Sequence, residues 1–398
     1  MTTLDNPPAA VRGPVGVDSF FQPRRFAFWL LIFLLANGLF SVSRELYQGS
    51  QVVPVTVLLG LLVWTLYTAI PLWFFHQQLD LFAQHPPLGF VLAFAYGSLG
   101  AIYLAGPVNT EFLSVLSKTT SPEFSDDWGA AIVGPTTEET LKILGVILLV
   151  LIARTQFRTL LAAASIGALV GLGFQISEDL SYTLSQGLSY PSPNEITPVL
   201  QIVLVRGILS GLWSHALFTS IAAIGVGYFL TRRHKPFGVR LAVAVGFFLI
   251  AWSMHFLWNS PLLEPENIFQ IFLRGLPLFV LGALLWWLAG RDEATNLIAI
   301  ADAYIDGDDL ITAEERHALG SLRSRRKLRR QARKQHGRKA GRLYHELQRK
   351  QLHLVMQYGQ TGPGPKADQD KLEVRLLRDR YETAVAKTPG KAEVESPS

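Results

Sequence analysis

The 398-residue chain is 49% hydrophobic and 17% charged, with its charge gathered towards the ends. This excludes a soluble single domain and describes a membrane protein with several spans and polar appendages. The absence of cysteine removes disulfides, thiolate catalysis and Cys-built zinc sites, and the net charge of +5 comes from the C-terminal tail.

In chain order, residues 1–23 read as a disordered leader, and Arg24-Arg25 then precedes an apolar stretch that reads as a retained anchor. Apolar segments at 26–42, 54–75, 88–106, 129–153, 160–186, 198–230, 241–259 and 271–289 predict an all-α transmembrane bundle of about eight spans. Gly97, Gly100 and Gly106 dilute the third and make it the weakest. If each segment crosses once, Arg24-Arg25, Arg154, Arg158, Arg232, Arg233, Lys235, Arg240 and the tail fall on one side. The opposite loops carry Glu111, Glu123, Asp126, Asp127, Glu264 and Glu266. The excess of basic charge predicts a multi-pass protein of the cell membrane with both termini cytoplasmic. Gly167 with Gly171, and Gly207 with Gly211, have the spacing of closely packed helices.

The spans end near residue 290, and residues 291–398 read as a basic, helical cytoplasmic tail. It begins with a short helix from Ala294 to Tyr304 and a turn at Asp306–Asp309. That acidic turn is not a calcium loop, because the twelfth ligand position would be Ala313. Thr312 and Glu315 have the spacing of a helix capping box. Arg323–Lys350 is dense in Arg and Lys, a Gly/Pro break follows at Gly359–Pro365, and a last helix is expected over Lys371–Val385. A basic helix beside a membrane favours anionic lipid headgroups. No nucleic acid is expected, since neither aromatic interleaving nor a base-reading motif accompanies the charge.

The costly feature is Pro135-Thr136-Thr137-Glu138-Glu139-Thr140-Leu141-Lys142, inside the fourth apolar run. Ionisable groups in the middle of a span cost roughly 2.5–3.5 kcal/mol each and persist only facing protein or a wet cavity. On a helix, Lys142 is within reach of Glu138 at i+4 and Glu139 at i+3. One ion pair explains one Glu and the Lys, but leaves a second carboxylate over. Other spans add Phe174-Gln175-Ile176-Ser177-Glu178-Asp179 with Tyr182, Arg206 with His215, and His255 with Asn259.

Numbering places these groups in one layer. Glu138 lies 16 residues before Arg154, Glu178 20 after Arg158, His215 17 before Arg232 and His255 15 after Arg240. At about 1.5 Å per residue, all four lie roughly 22–30 Å from the basic flags, in the outer half of the bilayer. Singly, each has a plain explanation: a transmembrane His is commonly an interhelical donor, and Asn259 an end cap. His76, His85 and His234 fall in loops and carry no role. Agreement in depth is what independent packing residues would not produce.

These motifs resemble the PrsW family of intramembrane proteases, part of the CAAX-protease and bacteriocin-processing group. The resemblance rests on Glu138-Glu139-x-x-Lys142, Gly171-x-Gly173-Phe174-x-x-x-Glu178-x-x-x-Tyr182, His215-Ala216-Leu217-Phe218-Thr219 and His255-x-x-Trp258-Asn259. It covers about residues 129–259; Asp179 departs from the Asn often found there. It implies peptide-bond hydrolysis in a membrane-anchored protein near the extracytoplasmic side, with anti-sigma factors among the substrates.

Hydrolysis needs an activated water, a stabilised oxyanion and a proton for the leaving amine. Glu138 is expected as the general base, sharing its water with Glu178 or His215, while Glu139 pairs with Lys142. The wider group's pattern gives His255 and Asn259 to the oxyanion; Tyr182 and Arg206 support. A metal-free glutamate site and a zinc site on Glu178, His215 and His255 both satisfy these residues, since no HExxH motif decides between them. Two other classes stand beside the protease. One is a proton-coupled transporter, disfavoured by the lack of an internal repeat, and the other a membrane scaffold with a lipid-binding tail.

Overall fold

Helices account for nearly the whole of the described chain, with no strand among the described residues. The computed structural model describes residues 18–74, 87–156, 159–189, 194–211, 213–263, 268–305, 307 and 309–387. Arg158, Glu264, Glu266, His76, His85, Asp306 and Asp308 lie outside them, as do residues 1–17 of the expected leader. Two units are distinguished, one of Asp18–Ala289 and one that includes Gly290–Ser398.

The first unit contains α1 (Phe26–Ser50), α2 (Pro54–Phe74), α3 (Pro87–Ala95) and α4 (Ile102–Thr119). They are followed by α5 (Pro122–Gly134), α6 (Thr140–Ile152), α7 (Leu160–Ser189), α8 (Ile196–Ile202), α9 (Ser214–Thr231) and α10 (Phe237–Asn259). The last helix, α11 (Ile268–Tyr304), begins in this unit. Wide π-turns join α3 to α4 at Tyr96–Ala101 and α5 to α6 at Pro135–Glu139, and extend α8 over Val203–Gly211.

Among the described residues, seven helices are long and apolar enough to cross a membrane. The expected fourth span is not among them. It is the α5–α6 rod, whose apolar sequence is interrupted by Glu138, Glu139 and Lys142. The third is stronger than expected and runs through its glycines to Thr119. Residues 18–23, read as disordered, are instead docked: Thr155 Oγ1 accepts from Asp18 N at 2.6 Å, and Gln156 Nε2 donates to Asp18 O at 2.7 Å.

Burial orders the bundle. The most apolar window of α7 is 83% buried and that of α9 67%, against 11% for α1 and 17% for α10. Outer helices present Phe33, Phe40, Leu62, Leu66 and Leu249 outward, as lipid-facing helices do. The central contact is α7 against the α8–α9 segment, antiparallel along its length. Gln186 meets Gln201, Glu178 and Asp179 meet Arg206, and Gly171 meets His215. A methyl group at Gly171 would lie 2.1 Å from His215 O, and one at Gly167 2.6 Å from Thr219 O. The small residues therefore set how deeply α9 seats on α7.

In the second unit, Ala294–Tyr304 continues α11 and is not a separate helix. Thr312 and Glu315 form the expected reciprocal capping box at α12 (Ala313–Leu319). The basic stretch is α13 (Leu322–Thr361), which turns back on itself at Gly337 (φ +85°), bringing Gln348 Nε2 to Arg325 O at 3.0 Å. α14 (Pro365–Ala386) starts earlier than expected and is tied to α13 by Lys350 with Asp370 and Glu373 at 2.7 and 2.6 Å. Leu347, Leu354, Val355 and Val374 are buried, so the tail has a core of its own.

Candidate active site

Pro135 begins the π-turn of the α5–α6 rod. Proline has no N–H for the helical ladder, and a wider turn accommodates the missing bond. The turn directs Glu138, Glu139 and, one turn on, Lys142 into the protein, where Glu139 and Lys142 are fully buried and Glu138 is 5% exposed. Thr137 and Thr136 return their hydroxyls to Val133 O at 2.8 Å and Ile132 O at 2.5 Å.

Lys142 Nζ is the hub. It lies 3.2 Å from Glu138 Oε2, 2.9 Å from Glu139 Oε1 and 2.8 Å from His215 Nδ1, over the Phe174 ring at 4.0 Å. Glu139 is saturated, since Thr219 Oγ1 also donates to it at 3.1 Å and His255 Nδ1 lies 3.0 Å away. Glu138 is less engaged: its Oε1 has one long contact, from Asn109 Nδ2 at 3.3 Å.

Partner chemistry assigns the ring protons. An ammonium only donates, so His215 Nδ1 accepts from Lys142 and Nε2–H faces Glu178 Oε2 at 3.1 Å. A carboxylate only accepts, so His255 carries a proton on Nδ1 towards Glu139. The two rings are perpendicular, with centroids 5.0 Å apart.

Arg206 closes the other wall. Its guanidinium pairs with Glu178, reaches Asp179 Oδ1 at 2.6 Å and stacks on Tyr182 at 4.1 Å. The groups surround a cavity of about 350 Å³ lined by Glu138, Glu178, His215, His255, Asn259, Asn109, Gln175 and Gly134, among others. A methyl group on Gly134 would lie 3.2 Å from Asn259 Nδ2, 3.6 Å from Glu138 Oε1 and 3.9 Å from His255 Nε2. Three candidate groups thus converge on the space that this glycine leaves clear.

All nine candidate residues are brought to one region, but the carboxylate that clusters with the two imidazoles is not the one expected. Glu178 is committed to Arg206 and His215, and the donors that cluster are Glu138, His215 and His255, one atom from each within 4.8 Å of the others. The expected zinc set of Glu178, His215 and His255 is therefore replaced by one in which Glu138 takes the carboxylate place. With its Nδ1 held by Glu139 at 3.0 Å, His255 is fixed in orientation and lines the cavity. Asn259 spends one N–H on Ala130 O at 3.1 Å and has the other left. Asn109 and Thr219 were not anticipated. A lone Asn in an apolar helix was a usable signal for the first, and Thr219 closes the His215–Thr219 motif without a role having been read for it.

The two-His, one-Glu donor set has the residue types and spacing of a catalytic metal site, though His215 would have to release Lys142 or Glu178 to serve as a ligand. Lys142 already supplies positive charge to two of those three ligands, Glu138 and His215.

No curated protein and no solved structure matches the chain. The sequence model of the PrsW family intramembrane metalloproteases matches residues 85–288, just over half of the chain and the whole of this constellation. The charged layer, its cavity and that match lead to one conclusion: the chain belongs to the PrsW family of intramembrane metalloproteases.

Proposed function

We propose that this protein hydrolyses a peptide bond of a membrane-anchored protein near the extracytoplasmic boundary, anti-sigma factors being the substrate class the family suggests. The observation that carries the reading is Glu138 Oε1, a buried carboxylate oxygen of the cavity wall with one long contact, sharing the space at Gly134 with His255 Nε2. A water there gives a proton to Glu138 while its oxygen attacks the scissile carbonyl. Glu138 hands that proton to His255 Nε2, the Glu139 carboxylate stabilises the imidazolium, and the proton passes to the leaving amine as the C–N bond breaks. This is the logic of a carboxylate-oriented histidine. The unused N–H of Asn259 serves the oxyanion. Lys142 keeps Glu138 and Glu139 in place.

Glu138→Gln should abolish fragments in co-expression with candidate single-span proteins while the variant folds and accumulates normally. Cleavage that survives the substitution would remove Glu138 from the mechanism.

A second reading has its own observation, the Glu138, His215 and His255 cluster. A metal held there would polarise the scissile carbonyl and make its bound water more acidic. Because Lys142 already sets an ammonium against Glu138 and His215, a metal-free glutamate site is favoured. Activity that persists in strong chelator, with no stoichiometric metal in the pure protein, is the expected result. Loss on chelation and recovery with zinc would reverse it.

Residues 291–398 are proposed as a separate cytoplasmic domain. Its exposed Arg323, Lys327, Arg330, Arg333 and Lys334 support attraction to anionic headgroups.

A further inference from the structure

Gln175 has no part in the chemistry above, yet it lines the same cavity and is 1% exposed. It sits on α7 one turn before Asp179. Neither its amide nitrogen nor its oxygen has a hydrogen-bond partner, and Asp179 Oδ2 has none either. The amide lies beside the Asp179 carboxylate, outside the geometry of a full hydrogen bond. A buried polar group without a partner forfeits its hydration with no return. Stability alone would favour Leu or Met at this position.

The substrate supplies a reason for an amide. A transmembrane helix satisfies its own N–H and C=O groups, and a protease must open that helix to reach the bond. The freed backbone groups then have no partner in lipid. A carboxamide offers an acceptor oxygen and two N–H donors, the complement of a peptide group. We propose that Gln175, with Asp179 Oδ2 beside it, binds the unwound substrate backbone next to the scissile bond, Oε1 accepting a substrate N–H and Nε2 donating to a substrate C=O. The proposal rests on the protease reading for the identity of its ligand. It makes Gln175 a substrate-binding residue.

The test uses full-length Glu138→Gln protein in detergent micelles, which binds without turnover, and fluorescently labelled, capped ten-residue Leu/Ala peptides. In a parallel set, one backbone amide at a time is replaced by an ester, which deletes a single N–H. At one position the ester should weaken binding to Glu138→Gln by about tenfold, the loss of one hydrogen bond. Adding Gln175→Met should weaken the all-amide peptide by about tenfold and make that ester position nearly silent. The melting temperature should hold or rise, since an unpartnered amide is removed. Gln175→Glu, which keeps the acceptor and loses the donor, should retain the ester effect. The proposal is overturned if Gln175→Met binds normally, if every ester weakens both proteins alike, if the parent binds no peptide, or if Gln175→Met lowers the melting temperature. Peptide binding that follows this pattern without cleavage of any co-expressed protein by the wild type would retire the protease reading alone.

Discussion

Lys142 is the most consequential side chain to remove. Lys142→Met keeps the length and apolar stem and deletes only the ammonium. In the native protein that ammonium is fully buried, 3.2 Å from Glu138 and 2.9 Å from Glu139. At an effective dielectric of about 20, each contact is worth about 5 kcal/mol of gross attraction. Most of that offsets the desolvation of three charges. Removing one partner leaves the others buried and uncompensated, which costs about 3–5 kcal/mol. Against a typical stability of about 5–15 kcal/mol, that is a large fraction. Unfolding of purified protein in mixed micelles of increasing SDS content should show a markedly earlier midpoint for Lys142→Met. The double variant Lys142→Met/Glu139→Gln, which also removes the carboxylate best paired with it, should recover much of the loss. A single variant within about 1 kcal/mol of wild type would refute the electrostatic account of this knot.

Further outcomes follow from the same geometry. Gly134→Val should eliminate cleavage with little change in stability, because its side chain enters the space between Asn259, Glu138 and His255. Normal turnover by that variant would show that substrate does not pass there. In the tail, partial burial and the guanidinium groups of Arg329 and Arg349 hold the His345 imidazole below its ordinary value of 6.5. Folding therefore favours the neutral ring, and its contribution to stability declines as pH falls below 6.5. A titration of the labelled ring by NMR in the full chain should give a midpoint below 6.5; one above it would contradict the charge environment described.

The layer of acids and imidazoles was legible because transmembrane charge is costly and helical rise converts residue number into depth. Gly167 and Gly171 announced the α7–α9 contact, and Thr312 with Glu315 announced a helix start. What stayed hidden depended on rotation about helix axes. Whether Glu138 or Glu178 joins the two His is decided by Arg206, which captures Glu178 from a neighbouring segment. The orientation of His255 is set by Glu139, 116 residues away in sequence. The π-turns leave no pattern in hydropathy, since each adds a residue without changing which residues are apolar. The fold-back in α13 was carried by Gly337 alone, inside a run of Arg and Lys that looks uniformly helical.

The α5–α6 rod also has a consequence for biogenesis. Among the described residues seven helices are long and apolar enough to cross a membrane, but this rod brings three ionisable groups at a cost on the order of 8–10 kcal/mol if none is compensated from outside. During synthesis it leaves the ribosome when Asn109 and Tyr96 already exist, the latter to donate to Leu141 O at 3.1 Å. His215, Thr219 and His255, which complete its polar shell, are still untranslated. The rod is therefore made before the residues of α7, α9 and α10 that complete its polar surroundings.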